Sequence, residues 1–158
     1  MDSLASRSVE EAVARFKDVP GGLLPLLHAI QDEIGHVPPA AVPRIASALN
    51  LSRAEVHGVV SFYHHFRAHP AGRHVLHMCR AEACQSMGGD ALAAQARERL
   101  GIDFHETTAD GNLTLEPVYC LGHCACSPAV LLDGVPQGRM TAERLEALLA
   151  SLEDAQWA

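Results

Sequence analysis

Apolar residues recur every three or four positions through the first 66 residues, the spacing of helices that each bury one face. Val9, Val13 and Phe16 predict a first helix. Leu23, Leu26, Leu27, Ile30 and Ile34 predict a second, bracketed by Gly21-Gly22 and Gly35. Val42, Ile45, Ala46 and Leu49 predict a third, entered through Pro38-Pro39. Pro43 falls in its first turn, where a missing amide hydrogen costs little. Ser52 with Glu55 three residues on has the spacing of a capping box, and opens a fourth helix whose face is Val56, Val59, Val60 and Tyr63. Short amphipathic helices on short loops bury their faces against one another, so residues 1–68 are expected to form a four-helix bundle. That bundle ends in the aromatic run Phe62, Tyr63 and Phe66, most of which is expected to be core.

The pattern changes after RAHPAG (67–72), which reads as a linker. RHVLHM (73–78) alternates as a strand does. The segment after Cys84 is helical, with Leu92, Ala96 and Leu100 on one face and Gly101 as its stop. Strands follow around FHETT and NLTLEPVYC, separated by a DG turn, and AVLLDGVPQGRM reads as a hairpin around Asp133-Gly134. Thr141 caps a last helix carrying Leu145, Leu148, Leu149 and Leu152. One sheet flanked by helices is the economical packing of that order, which also fits a thioredoxin-like arrangement over residues 73–158. The fold class expected is therefore α/β, a helical bundle followed by a thioredoxin-like domain.

Composition narrows the function. Apolar residues make up 48% of the chain, enough for a packed core, and the formal charge is −7, from 19 acidic and 12 basic residues. With aromatics at only 4%, the basic face and stacking platforms of a nucleic-acid protein are not expected. No apolar run approaches the roughly 20 residues of a membrane span, and MDSLASRSVEEAVARF lacks the apolar centre of a signal peptide. A cytoplasmic chain with no membrane insertion is expected. His57, His64 and His65 are not spaced as a helical ligand pair, and read as solvated or partner-facing residues at a helix end.

The five cysteines carry the candidate chemistry, since clustered thiols in a reducing compartment are metal ligands or redox groups more often than disulfides. Cys79 ends the first strand of the second half, and Cys84 opens the helix after it. Cys120 ends a later strand, and Cys124 lies in the loop that follows. The pairs are C-x4-C and C-x3-C, a spacing that suits one tetrahedral metal or a 2Fe–2S cluster with one pair per iron. A thiol–disulfide enzyme wants C-x-x-C at a helix start. A Rieske centre wants two histidines, and only His123 lies close. Spacing alone leaves a zinc-stabilised interaction module and a 2Fe–2S protein both open. There is no glycine fingerprint for a nucleotide and no acid/base pair, so the chain is not expected to be a catalyst on its own.

C-x4-C followed by CLGxC and a nearby proline resembles the thioredoxin-like 2Fe–2S ferredoxins. GLLPLLHAIQDEIGHVPP and LSRAEVHGVVSFYHHF resemble the helical half of that family, and TTADGNLTLEPVYCLGHC its C-terminal half; the likeness covers residues 8–150. Its members include the small cluster subunit of NADH dehydrogenase, the gamma subunit of soluble NAD-dependent formate dehydrogenase, and part of NAD-reducing hydrogenases. PPAAVPRIASALNLSRAEVHGVVSFYHHF looks most like the formate dehydrogenase subunit. The resemblance implies one 2Fe–2S cluster held by Cys79, Cys84, Cys120 and Cys124, with Cys126 spare. It implies one-electron transfer beside a flavin- and NAD-binding subunit that carries FMN and NAD. A further iron–sulfur or molybdenum catalytic subunit is implied in the same NAD-dependent oxidoreductase.

Overall fold

The computed structural model describes residues 3–154, a mixed chain of seven α-helices and a five-stranded sheet among those residues. The outermost residues of the two expected segments, 1–2 and 155–158, lie outside them. The chain divides into two compact units, with the boundary between Ala71 and Gly72. Among the described residues no helix is long and apolar enough to cross a membrane.

The first unit holds α1 (Ser3–Phe16), α2 (Leu23–Ile34), α3 (Val42–Leu49) and α4 (Arg53–Phe62). Their apolar stripes meet in a core that includes Val9, Leu26, Leu27, Ile30, Ile45 and Val56. The punctuation acts as expected. Gly35 ends α2 with a left-handed φ of 79°, a conformation that costs glycine nothing. At the start of α4, Glu55 N–H donates to Ser52 Oγ at 3.1 Å and Ser52 N–H donates to Glu55 Oε2 at 2.8 Å. The buried Gln31 is not legible from periodicity. Its side-chain amide donates to the His65 carbonyl at 2.6 Å, and its oxygen accepts from Arg67 N–H at 2.8 Å, so α2 pins the segment that leaves α4.

The aromatic run differs from expectation. Phe66 is buried, but Phe62 is 75% and Tyr63 42% exposed. Phe62 lies six residues from buried Val56, about 240° round the helix and so turned away from the core. Tyr63 has the right spacing, but α4 stops there with an extended backbone (φ −87°, ψ 105°). The chain then turns Phe66 inward, against His28 at 5.0 Å between ring centres.

The second unit is built from β1 (His74–Cys79), α5 (Glu82–Ser86), α6 (Gly89–Leu100), β2 (Glu106–Thr107), β3 (Leu113–Val118), β4 (Val130–Leu132), β5 (Val135–Gln137) and α7 (Ala142–Asp154). The strand order is β2-β3-β1-β4-β5, with β1 parallel to β3 and the other pairs antiparallel. The parallel pair needs a crossover, which α5 and α6 supply. Leu76 pairs with Leu115 on one side and Leu132 on the other. Leu76, Met78, Leu113 and Leu115 pack with Leu92 and Ala96 of α6 and Leu145 and Leu149 of α7. Three boundaries differ from the sequence reading. The helix after Cys84 is two helices, broken at Gly88 (φ 92°); Cys84 lies within the first of them; and β3 stops at Val118, short of Cys120.

Asp133 and Gly134 form the expected two-residue hairpin turn, both with positive φ, 48° and 82°, which matches the twist of the flanking strands. Asp133 does more than turn the chain. Its Oδ1 accepts from Val75 N–H at 2.8 Å, and its Oδ2 lies 2.6 Å from His74 Nδ1. Burial works to raise this carboxyl, but the His74 and Val75 hydrogen bonds outweigh it and hold it below its ordinary value. A carboxyl depressed by folding stabilises the fold above its unfolded pKa of about 3.9, and that stability is lost as pH falls through the folded value. Acid unfolding of Asp133→Asn should therefore lack this part of the pH dependence, read as a shallower loss of denaturation midpoint below about pH 4. An unchanged acid limb would show that the contact carries no net stability.

Candidate metal centre

Cys79 is the last residue of β1, and the sheet ladder runs on past it: Cys79 N–H donates to the Ala129 carbonyl at 3.1 Å and Arg80 N–H to the Val118 carbonyl at 2.7 Å. The chain then turns. Cys84 N–H and Gln85 N–H both donate to the Ala81 carbonyl at 2.9 Å, which starts α5 and brings Cys84 back beside Cys79. Both thiols are buried in a small apolar cluster with Ala129, walled by Ala81, Val118 and Leu121. The two glycines that follow have separate roles. Gly88 supplies the left-handed break between α5 and α6. Gly89 lets α6 approach closely, since a Cβ there would lie 2.7 Å from the Cys84 carbonyl oxygen.

The second pair sits on the loop after β3. Cys120 has φ 149°, a backbone region that residues with a Cβ adopt only under strain. Gly122 (φ 73°) follows, and its N–H donates to Cys120 Sγ at 3.3 Å. A 3-10 turn, Cys124–Cys126, closes the loop. Cys120 Sγ and Cys124 Sγ lie 4.0 Å apart, both exposed. A tetrahedral centre with metal–sulfur bonds of about 2.3 Å sets its sulfurs about 3.8 Å apart, so this pair is already near chelating distance. His123 donates from Nδ1 to the Leu121 carbonyl at 2.9 Å, which braces its own loop.

The pairs come together. Cys79 lies beside Cys84, and the N–H groups of Ala81 and of Leu121 in the other loop are near enough to favour its thiolate. Burial pushes the Cys79 thiol up, and Cys84 adds to this, against the pull of those two amides. The hydrogen bond with Cys120 and that sulfur's charge push Cys124 up, and Cys84 is near enough to contribute. Ser127 touches both groups: it accepts from the Cys84 thiol at 3.7 Å and donates to the Cys124 carbonyl at 2.8 Å. Among the described residues no three cysteine, histidine or acidic side chains form a single-ion site; the sulfurs gather as two pairs. The donor set, four thiols with amide hydrogens aimed at Cys79 and Cys120, fits an iron–sulfur cluster.

Cys126 is placed apart by its packing. It is half-buried, and a Cβ on Gly138 would lie 2.6 Å from the Cys126 Cβ. Its N–H donates to the His123 carbonyl at 2.9 Å, and its carbonyl accepts from Arg139 N–H at 2.5 Å. It ties the loop to the chain leaving β5. The placement of Ser127 and of the Leu121 amide is not visible in the sequence, because it depends on close approaches between segments that no periodicity records.

A family model for the thioredoxin-like [2Fe-2S] ferredoxins matches residues 9–153. The chain is 37% identical over 153 residues to an NADH-quinone oxidoreductase subunit of Mycobacterium bovis, covering 96% of this chain and 61% of the relative. It is 36% identical over 148 residues to an NADH-quinone oxidoreductase subunit of Rhizobium meliloti, covering 94% and 88% of the two chains. The corresponding subunit of Escherichia coli K12 is 31% identical over 142 residues, covering 90% of this chain and 86% of the relative. Among solved structures, an NAD+-reducing [NiFe]-hydrogenase in the air-oxidized state superposes with a TM-score of 0.69 and 28% identity, over 89% of this chain and 24% of that one. The chain thus spans about three-fifths of the mycobacterial relative and a quarter of the hydrogenase chain.

Proposed function

Because the chain belongs to the thioredoxin-like [2Fe-2S] ferredoxin family, we propose that Cys79, Cys84, Cys120 and Cys124 hold a 2Fe–2S cluster and that the protein is the one-electron carrier of an NAD-linked oxidoreductase. The observation that carries this reading is the meeting of two cysteine pairs, one buried and one exposed, linked by the Leu121 amide and Ser127. When bound, the cluster supplies one-electron redox chemistry at a potential set by its surroundings. The chain supplies the rest. Cys79 and Cys84 ligate from an apolar pocket that excludes water. The Gly122, Ala81 and Leu121 amides put partial positive charge beside sulfur. Cys120 and Cys124 stand at the surface, where a partner's cofactor can approach.

The partner in this reading is a flavin- and NAD-binding subunit carrying FMN. Likeness to NADH-quinone oxidoreductase subunits and to an NAD+-reducing hydrogenase supports a complex of that kind. The formate dehydrogenase expected from the compact segment 38–66 is a finer form of the same reading, with a molybdenum subunit as the further partner. A cytoplasmic location accords with NAD as the terminal donor or acceptor. The exposed Phe62 and Tyr63 at the end of α4 are the residues of the helical unit that best suit docking.

Purification of the tagged full chain from its own cells tests this. A flavoprotein should accompany it, and NADH should bleach the visible bands of the preparation; the catalytic subunit that co-purifies names the complex. Phe62→Asp with Tyr63→Asp should keep the bands and lose the flavoprotein. A colourless chain, or one that recovers no flavoprotein, contradicts the reading.

A further inference from the structure

We propose that Ser127 is a positioning residue for the cluster, whose hydroxyl joins the two cysteine pairs and, with the cluster bound, donates to the Cys84 sulfur and raises the reduction potential. The inference rests on the four-cysteine reading above. In the structure the Cys84 thiol donates to Ser127 Oγ across 3.7 Å, while Ser127 donates its own proton to the Cys124 carbonyl at 2.8 Å. Ser127 is thus in contact with a member of each pair.

A serine hydroxyl has one proton and two lone pairs. As a ligand, Cys84 is a thiolate and has no proton to give. Two acceptors then face the single Ser127 proton, the Cys84 sulfur and the Cys124 carbonyl. The charged acceptor wins, since a charge-assisted hydrogen bond is about twice as strong as a neutral one. Rotation about the Cβ–Oγ bond is enough, because the oxygen already sits beside the sulfur. The Cys124 carbonyl is not orphaned, for Ser127 N–H also donates to it, at 3.3 Å.

Cys84 is only 2% exposed, so water screens little of what Ser127 does to its sulfur. Reduction adds one electron and one negative charge. A donor on sulfur therefore stabilises the reduced form more than the oxidised one and moves the potential upward. A serine that served only to close the 3-10 turn would leave the potential where it was.

Redox titration of the full chain, purified without oxygen, compares wild type with Ser127→Ala and Ser127→Thr, folding being checked by circular dichroism. Ser127→Ala should have a more negative midpoint and lose its cluster to a chelator about tenfold faster, the usual scale of an outer-shell contact. Ser127→Thr, which keeps the hydroxyl, should restore both. A folded Ser127→Ala chain that cannot hold the cluster, beside a loaded Ser127→Thr, supports the same role. A loaded Ser127→Ala with the wild-type midpoint overturns this inference alone. Wild-type protein without iron and sulfide overturns the four-cysteine reading and this inference with it.

Discussion

Cys124→Ser should empty the site, whereas Cys126→Ser should leave it loaded. The two residues are neighbours in one 3-10 turn, so any general disturbance of that turn would affect both alike. Their surroundings differ. Cys124 Sγ lies 4.0 Å from Cys120 Sγ and is exposed. Cys126 lies against Gly138, and its backbone ties the turn to Arg139. A ligand set using Cys126 in place of Cys124 would give up a pair already near chelating distance. Serine oxygen is a hard donor poorly matched to iron–sulfur chemistry, so iron in Cys124→Ser should fall at least about tenfold, the scale at which even outer-shell contacts are felt. At position 126 a small half-buried residue is exchanged for one of similar size, a change of about 1 kcal/mol or less. Iron content and visible spectra of the two variants, prepared side by side without oxygen, check this. A loaded Cys124→Ser beside an empty Cys126→Ser would reverse the assignment.

Gly89→Ala should destabilise the second unit and loosen the site together. Glycine to alanine within a helix ordinarily gains about 0.5–1 kcal/mol. Here the new Cβ would lie 2.7 Å from the Cys84 carbonyl oxygen and 2.9 Å from its carbon. Both are backbone atoms, so α5 must move rather than a side chain swing away. Overpacking of this kind costs about 1–3 kcal/mol, more than the helix gains, and the displaced residue is a proposed ligand. Gly58→Ala on α4 is the control. A Cβ there meets nothing within 4 Å, so it should gain the usual about 0.5–1 kcal/mol and leave iron unchanged. Denaturation midpoints of the metal-free chains, with iron content of the loaded ones, separate the two. Equal gains at both positions would show that the contact at Gly89 relaxes freely.

Much of the fold is readable in the sequence because it is local. Ser52 with Glu55, Gly35, and Asp133 with Gly134 announce a helix start, a helix stop and a hairpin through their own chemistry, and the apolar stripes of α1 to α4 repeat over enough turns to be unambiguous. Local signals also bring the cysteines into two pairs near the ends of β1 and β3. Whatever depends on segments far apart in the chain, or on exact helical angle, is not readable in that way. Gly88-Gly89 is a weak point in the helical pattern that the sequence does show, but that Gly88 breaks the helix and that Gly89 packs on Cys84 are seen only in the structure. Gln31 reads as one polar residue among others on α2, yet it holds His65 and Arg67. Phe62 reads as core because it stands in an aromatic run, while the helical angle from Val56 turns it outward. Ser127 carries no motif; its role shows only when Cys84 and Cys124 are seen on either side of it.

The most direct test of the four-cysteine cluster is metal and sulfide analysis of the anaerobically purified chain, with low-temperature electron spin resonance of the reduced protein. The account predicts about two irons and two acid-labile sulfides per chain and a spin signal that appears on one-electron reduction. Stoichiometric zinc without sulfide, and no signal on reduction, would contradict it.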